Sequence, residues 1–260
     1  MANNEGRPEI EIVVNYTPDD FFEEKISWER GNYTIVIEKG RAIARMPAEL
    51  VDANPDLEVS LKKELNVFFL GAQPYRQKPF EFTGGSAYRL FPDGRRSISH
   101  WVPLILTVLP AVDDHIYTDR EGMVHDPRRE RIEAMERLAQ LSARHALMNL
   151  TVRRMLDSFD ASVRYRGNEL VYLYEIWDAL MTKFQGERRA RKALNISKSD
   201  RTRLSNLANK EPLNQGRHRG QHAGELRNAT IEELYEARRI AREMIEKYLR
   251  FLDKQGSVSQ

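Results

Sequence analysis

The sequence predicts an α+β protein, with a β-rich N-terminal domain over residues 1–115 and an all-α helical bundle over 127–253. Three observations carry this reading. Short alternating or β-branched runs fill the first half. Apolar residues recur at three- and four-residue steps through the second half. A polar connector over 116–126 separates the two patterns. The 260-residue chain, 41% hydrophobic with three Trp, is long and apolar enough to bury a substantial core.

Taken in order, residues 9–15 alternate and then turn β-branched, which suits a strand. Residues 33–38 and 41–46 flank Lys39-Gly40, a hairpin tip. The run from Leu57 to Gly71 fits two periods, because Val59, Leu61, Val67 and Phe69 alternate while Leu61, Leu65 and Phe68 suit a helix; it is assigned as strand. Extended segments follow at 79–83, 86–91 and 96–109, separated by Gly84-Gly85 and Pro92-Asp93-Gly94.

Asp126-Pro127 starts a helix, with Asp as N-cap and Pro at the first helical position. Apolar spacing from Ile132 through His145 and Met148 to Phe159 predicts one helix over about 127–160. A second spans about 168–185 and ends at Gly186, and shorter ones lie at 187–194 and 198–209. The last helix begins at Thr230, with Glu233 three residues on as a capping box, and 254–260 is a flexible tail.

Composition excludes several functions. With no Cys there are no disulfides, thiolate metal sites or cysteine nucleophiles. The first residues lack the basic start and apolar run of a signal peptide. The longest apolar run, Trp101 to Val112, is too short to cross a bilayer and contains Pro103 and Pro110. A soluble cytoplasmic protein with no membrane partner is expected. The net charge of +2 is unremarkable, but Lys183 to Arg219 holds eleven Lys or Arg against three Asp or Glu.

That block ends in the most pointed stretch of the chain, Asn214 to His222. Arg217, His218, Arg219 and His222 fall within six residues: permanent cations suited to phosphate, and imidazoles able to exchange protons near neutral pH. On a regular helix Arg217 and His222 would lie about 140° apart. Joint action therefore needs a bend, which Gly220 favours, or a second copy meeting across a two-fold axis. Three readings compete on spacing alone. One is RNA cleavage by the RNA's own 2′-hydroxyl, with His222 as acid or base and Arg217 stabilising charge. One is zinc at His218 and His222, which lacks a third ligand and places Arg219 where a zinc protease has Glu. The last is a basic solvated turn.

Arg217-His218-x-x-x-His222, set before the final helix of a helical half, resembles the R-polar-x₃-H signature of HEPN domains (higher eukaryotes and prokaryotes nucleotide-binding). The acid-bearing helix Leu173-Tyr-Glu-Ile-Trp-Asp and the basic helical insert extend the resemblance over about 127–253. It implies a HEPN-like bundle that dimerises through this domain and cleaves RNA without cofactor or metal, leaving a cyclic phosphate and a 5′-hydroxyl. It also implies a setting in defence, toxin or stress response. Carried over, Arg217 and His222 are catalytic and His218 is the supporting polar residue, with Glu175 or Asp178 orienting them. The basic residues Arg188, Arg189, Arg191, Lys192, Arg201, Arg203 and Arg219 would grip RNA phosphates. A non-catalytic dimerisation or nucleic-acid-binding module of the same fold is the alternative, and a DNA-binding regulator comes third. The N-terminal domain, with no motif of its own, is assigned to a regulatory protein or ligand.

Overall fold

The structure is a computed structural model that describes residues 7–54, 56–101, 117–118, 124–221 and 224–258. It is α+β: a six-stranded antiparallel sheet followed by a mostly helical region. The chain divides into two compact units, one of residues 1–66 and 80–132, the other of 67–79 and 133–260. Among the described residues, no helix is long and apolar enough to cross a membrane.

In the first unit the strands are β1 (Glu9–Thr17), β2 (Ile26–Arg30), β3 (Tyr33–Glu38), β4 (Arg41–Pro47), β5 (Glu81–Leu90) and β6 (Arg96–Trp101). Their order is β2-β3-β4-β1-β5-β6, with β1 central. Period-two alternation turns Ile10, Ile12, Val14 and Tyr16 of β1, Ala42, Ala44 and Met46 of β4, and Ile35 and Ile37 of β3 inward. Small residues on β4 sit between the larger ones of its neighbours, as where Ala44 pairs with both Ile12 and Ile35. The Lys39-Gly40 tip joins β3 to β4 as the sequence predicts, with Gly40 at φ +74°, a conformation that favours glycine. A two-residue pair, β7 (Tyr117–Thr118) and β8 (Val124–His125), lies in the stretch read as connector. The part of the 96–109 segment beyond residue 101 lies outside the described residues.

Between β4 and β5 the chain is helical, in α1 (Ala48–Ala53) and α2 (Leu57–Arg76). The strand expected over 57–71 is therefore a helix. Leu61, Leu65, Phe68, Phe69 and Ala72 are buried at helical spacing, whereas Val59, which the strand reading needed inside, is half exposed. From Val67 to Leu70 every residue is buried, and a helix buried on all sides loses the amphipathic period that would identify it.

The second unit takes the end of α2 and most of α3 (Pro127–His145), with α4 (Leu150–Arg164), α5 (Glu169–Phe184), α6 (Glu187–Leu194), α7 (Lys198–Asn209) and α8 (Ile231–Val258). Gly71 of α2 permits close approach to α3, since a Cβ there would stand 2.6 Å from that of Ser142. The single helix expected over 127–160 breaks at residues 146–149. Asn149 caps α4 by accepting from the Val152 amide at 3.1 Å, and Met148, which continued the apolar spacing, is 93% exposed. The tail assignment also shifts, because α8 continues to Val258. Trp177, Phe159, Leu173, Met244 and Tyr248 are fully buried in the core. α5 and α8 run in the same direction: Glu169 meets Arg238 at their starts, and Phe184 meets Tyr248 and Phe251 further on.

Candidate functional site

The Arg-His stretch lies on the connection between α7 and α8, which closes on itself at its base. Leu213 and Arg227 form a parallel bridge, with Asn214 N–H donating to the Arg227 carbonyl (2.9 Å) and Arg227 N–H to that of Pro212 (3.0 Å). Below the bridge, Arg227 donates to both Glu233 oxygens (2.7 Å each) and to Glu211 (2.9 Å). Arg203 joins Glu211 and Glu236 at 2.8 Å each. The Arg227 hydrogen bonds hold the Glu233 carboxyl down to about 2, helped by the Thr230 amide and opposed by partial burial. The capping box is formed: Thr230 N–H donates to Glu233 (2.8 Å) and Glu233 N–H to the Thr230 hydroxyl (3.2 Å).

Above this neck the chain returns onto α7. A Cβ at Gly216 would lie 3.2 Å from the Ala208 carbonyl oxygen, so glycine gives the backbone room there. The next amide, of Arg217, donates to that same carbonyl at 2.7 Å, satisfying an acceptor in the last turn of α7.

From this anchor the Arg217 side chain crosses to α5. Its guanidinium lies over the Tyr174 ring (5.3 Å to the centroid) and donates to Asp178 at 3.0 Å. Tyr174 and Asp178 are four residues apart and share a helix face, so they grip it together. Glu175, one residue off that face, instead accepts from the Ser158 hydroxyl on α4 at 3.1 Å. Of the two acids considered for orienting Arg217, Asp178 contacts it.

His218 is exposed, and its carbonyl accepts from the Gln221 amide at 3.0 Å. Residues 219–221 form one 3₁₀ turn, so Arg217, His218 and Arg219 sit on a loop and not on a regular helix. Arg219 hydrogen-bonds the Asn168 side chain and reaches the Gly167 carbonyl at 3.5 Å, at the start of α5. His222 lies outside the described residues.

The basic block divides. Arg201 pairs with Glu187 (2.7 Å) and Arg203 with the neck acids, so both are held internally. Arg191 donates to the Ile196 carbonyl (3.3 Å) and Arg189 to Gln185 (2.8 Å). Arg188, Arg189 and Lys192 are exposed on α6. Of the remaining histidines, His145 ends α3 part-buried, with Nε2 3.5 Å from Asp253; His100 and His125 are on β6 and β8, and His115 lies outside the described residues. Among the described residues, no three His, Asp or Glu side chains converge as metal ligands would.

From sequence, Tyr174 stood only as a member of the acid-bearing helix with no contact to Arg217, and Asn168 and the Arg227 clasp were missed. The spacing of Tyr174 and Asp178 on one helix face was a usable signal. The Asn168 contact joins residues 51 apart and the Arg227 clasp depends on loop closure, so neither leaves a local mark. Compared with family models, curated proteins and the solved structures, the chain matches none.

Proposed function

We propose that the protein is a metal-independent endoribonuclease of HEPN type, acting through the α7–α8 loop in a defence, toxin or stress-response setting. The observation that carries this reading is the placement of Arg217, a permanent cation fixed by Tyr174 and Asp178 at an exposed loop tip, five residues from His222. In the reaction the 2′-oxygen of RNA forms a bond to phosphorus while the bond from phosphorus to the 5′-oxygen breaks. The 2′-hydroxyl loses a proton and the departing 5′-oxygen gains one, and His222 serves as acid or base in this exchange. Arg217 stabilises the added negative charge on the phosphorane oxygens, and His218 is the supporting polar group. The exposed cations Arg188, Arg189 and Lys192 supply sequence-blind attraction for the strand. Two copies joined through the helical domain, a regulatory protein or ligand at the first unit, and a cytoplasmic location complete the proposal.

A non-catalytic module that binds nucleic acid or dimerises is favoured by one observation: Arg217 and Arg219 already have acceptors within their own chain. Labelled single-stranded RNA in EDTA separates the two. The enzyme yields cyclic-phosphate ends that His222→Ala abolishes while the fold survives, and chelator changes nothing. Binding without cleavage, or cleavage surviving His222→Ala, overturns the proposal.

A further inference from the structure

The α7–α8 loop reaches the turn between α4 and α5, which carries a pair of aromatic rings, one exposed and one half-buried. Tyr165, which ends α4, keeps 60% of its surface exposed. Tyr172, in the first turn of α5, lies against it with ring centroids 6.1 Å apart and planes inclined by 44°. Arg219 reaches this place from the loop through its hydrogen bonds to Gly167 and Asn168, two and three residues beyond Tyr165. Arg166 stands next to Tyr165 in the chain, its side chain 42% exposed, and shares the buried Glu169 carboxylate with Arg238.

A lone exposed tyrosine requires no explanation. Two rings in contact, with two arginines at the same α4–α5 turn of which Arg219 comes from the candidate catalytic loop and Arg166 is engaged by Glu169 and the Gln77 carbonyl, form a more specific arrangement. Aromatic faces take the faces of unpaired bases and guanidinium groups take phosphates, a combination suited to a single strand. In a duplex the base faces are covered by their neighbours, so the rings have nothing to stack on. Arg219 is two residues from Arg217, so their Cα atoms are at most about 7 Å apart, and one loop reaches both the Tyr174–Asp178 face of α5 and the start of that helix, where the rings stand.

We infer that Tyr165 and Tyr172, with Arg166 and Arg219, form a stacking platform for an unpaired base of single-stranded RNA. The identity of the strand as RNA rests on the ribonuclease proposal; the platform adds the requirement that the strand be unpaired.

The test is equilibrium binding of a fluorescein-labelled ten-nucleotide oligoadenylate RNA to the full chain carrying His222→Ala, so that affinity is read without cleavage. In that background Tyr165→Ala weakens binding about tenfold, while Tyr165→Phe keeps it and rules out a folding defect. Tyr165→Trp binds as the parent does, and its emission falls as the RNA saturates, beyond any change in the parent. The same RNA annealed to its complement binds more weakly. Unchanged affinity in Tyr165→Ala, unchanged Tyr165→Trp emission, equal affinity for the duplex, or no binding by the parent would each overturn the platform. Tyr165-dependent binding by a protein that never cleaves RNA keeps the platform and ends the ribonuclease reading. Cleavage by the native chain with a KM indifferent to Tyr165→Ala does the reverse.

Discussion

Two weak contacts hold Arg217, and their size matters for what it can do. Its cation–π contact with Tyr174 contributes about 0.5–1 kcal/mol. The half-exposed ion pair with Asp178 contributes about 0.2–1 kcal/mol. A phosphate that forms charge-assisted hydrogen bonds worth about 1.5–3 kcal/mol can compete with Asp178 while the ring still fixes the guanidinium plane. Under the ribonuclease proposal Asp178 orients Arg217 before phosphate arrives, and Asp178→Asn lowers the cleavage rate by up to about fivefold, the loss that an ion pair worth at most about 1 kcal/mol allows. The loss is larger than in Glu175→Gln, since Glu175 is engaged by Ser158. Single-turnover rates compare the two, and equal losses would contradict the positioning role. Read from sequence, Glu175 and Asp178 were equivalent acids on one helix; only the angular position of Arg217 tells them apart.

The clasp at the base of the α7–α8 loop is the element whose stability depends most directly on pH. Glu233 has its carboxyl depressed from 4.5 to about 2, chiefly by Arg227. A depressed carboxylate contributes stability that is fully present above about pH 4.5 and is lost as the pH falls towards 2. Glu233→Gln should therefore cost about 1–3 kcal/mol at pH 7, through lost hydrogen bonds to Arg227 and a weakened cap. The gap from the native chain should narrow between pH 4.5 and pH 3. Urea unfolding at pH 7 and pH 3 checks this, and parallel curves at both values would refute it. The sequence announced the capping box, because Thr230 and Glu233 are three residues apart. It hid the competing Arg227, whose approach depends on loop closure. The same contrast explains the helices. α5, α6 and α7 carry clean periods and clear ends, whereas α2 is buried on all sides from Val67 to Leu70 and α3 and α4 are parted by an Asn cap within an unbroken apolar rhythm.

For the whole molecule, the notable feature is that the second unit recruits residues 67–79 from the first half of the chain. Gln73 is fully buried and donates to Asp160 (2.8 Å), Tyr75 donates to Glu246 (2.6 Å), and Arg242 lies over the Tyr75 ring at 4.6 Å. Burial beside Glu246 drives the Tyr75 phenol pKa upward, so it stays a hydrogen-bond donor at any physiological pH. A fragment starting at the sequence-defined boundary, residues 127–260, lacks this segment and strips cover from Ala139, Ser142 and Asp160. We expect it to aggregate or to melt without a cooperative transition by circular dichroism; a sharp transition at the native temperature would refute this. The broad division into sheet and helices was legible because residue periodicity is a local property. The exchange of a helix end between units was not, because it depends on which distant surfaces that helix covers.

The neck of the α7–α8 loop has a consequence for the residues above it. Because the Leu213–Arg227 bridge and the Glu211–Arg227–Glu233 ion pairs already close the loop, the entropy of closure is met below the tip. Residues added at the tip raise that entropy only logarithmically, by about 0.6 kcal/mol per doubling of length. The tip can thus be lengthened, shortened or rewritten at small cost to the closure of the loop below it.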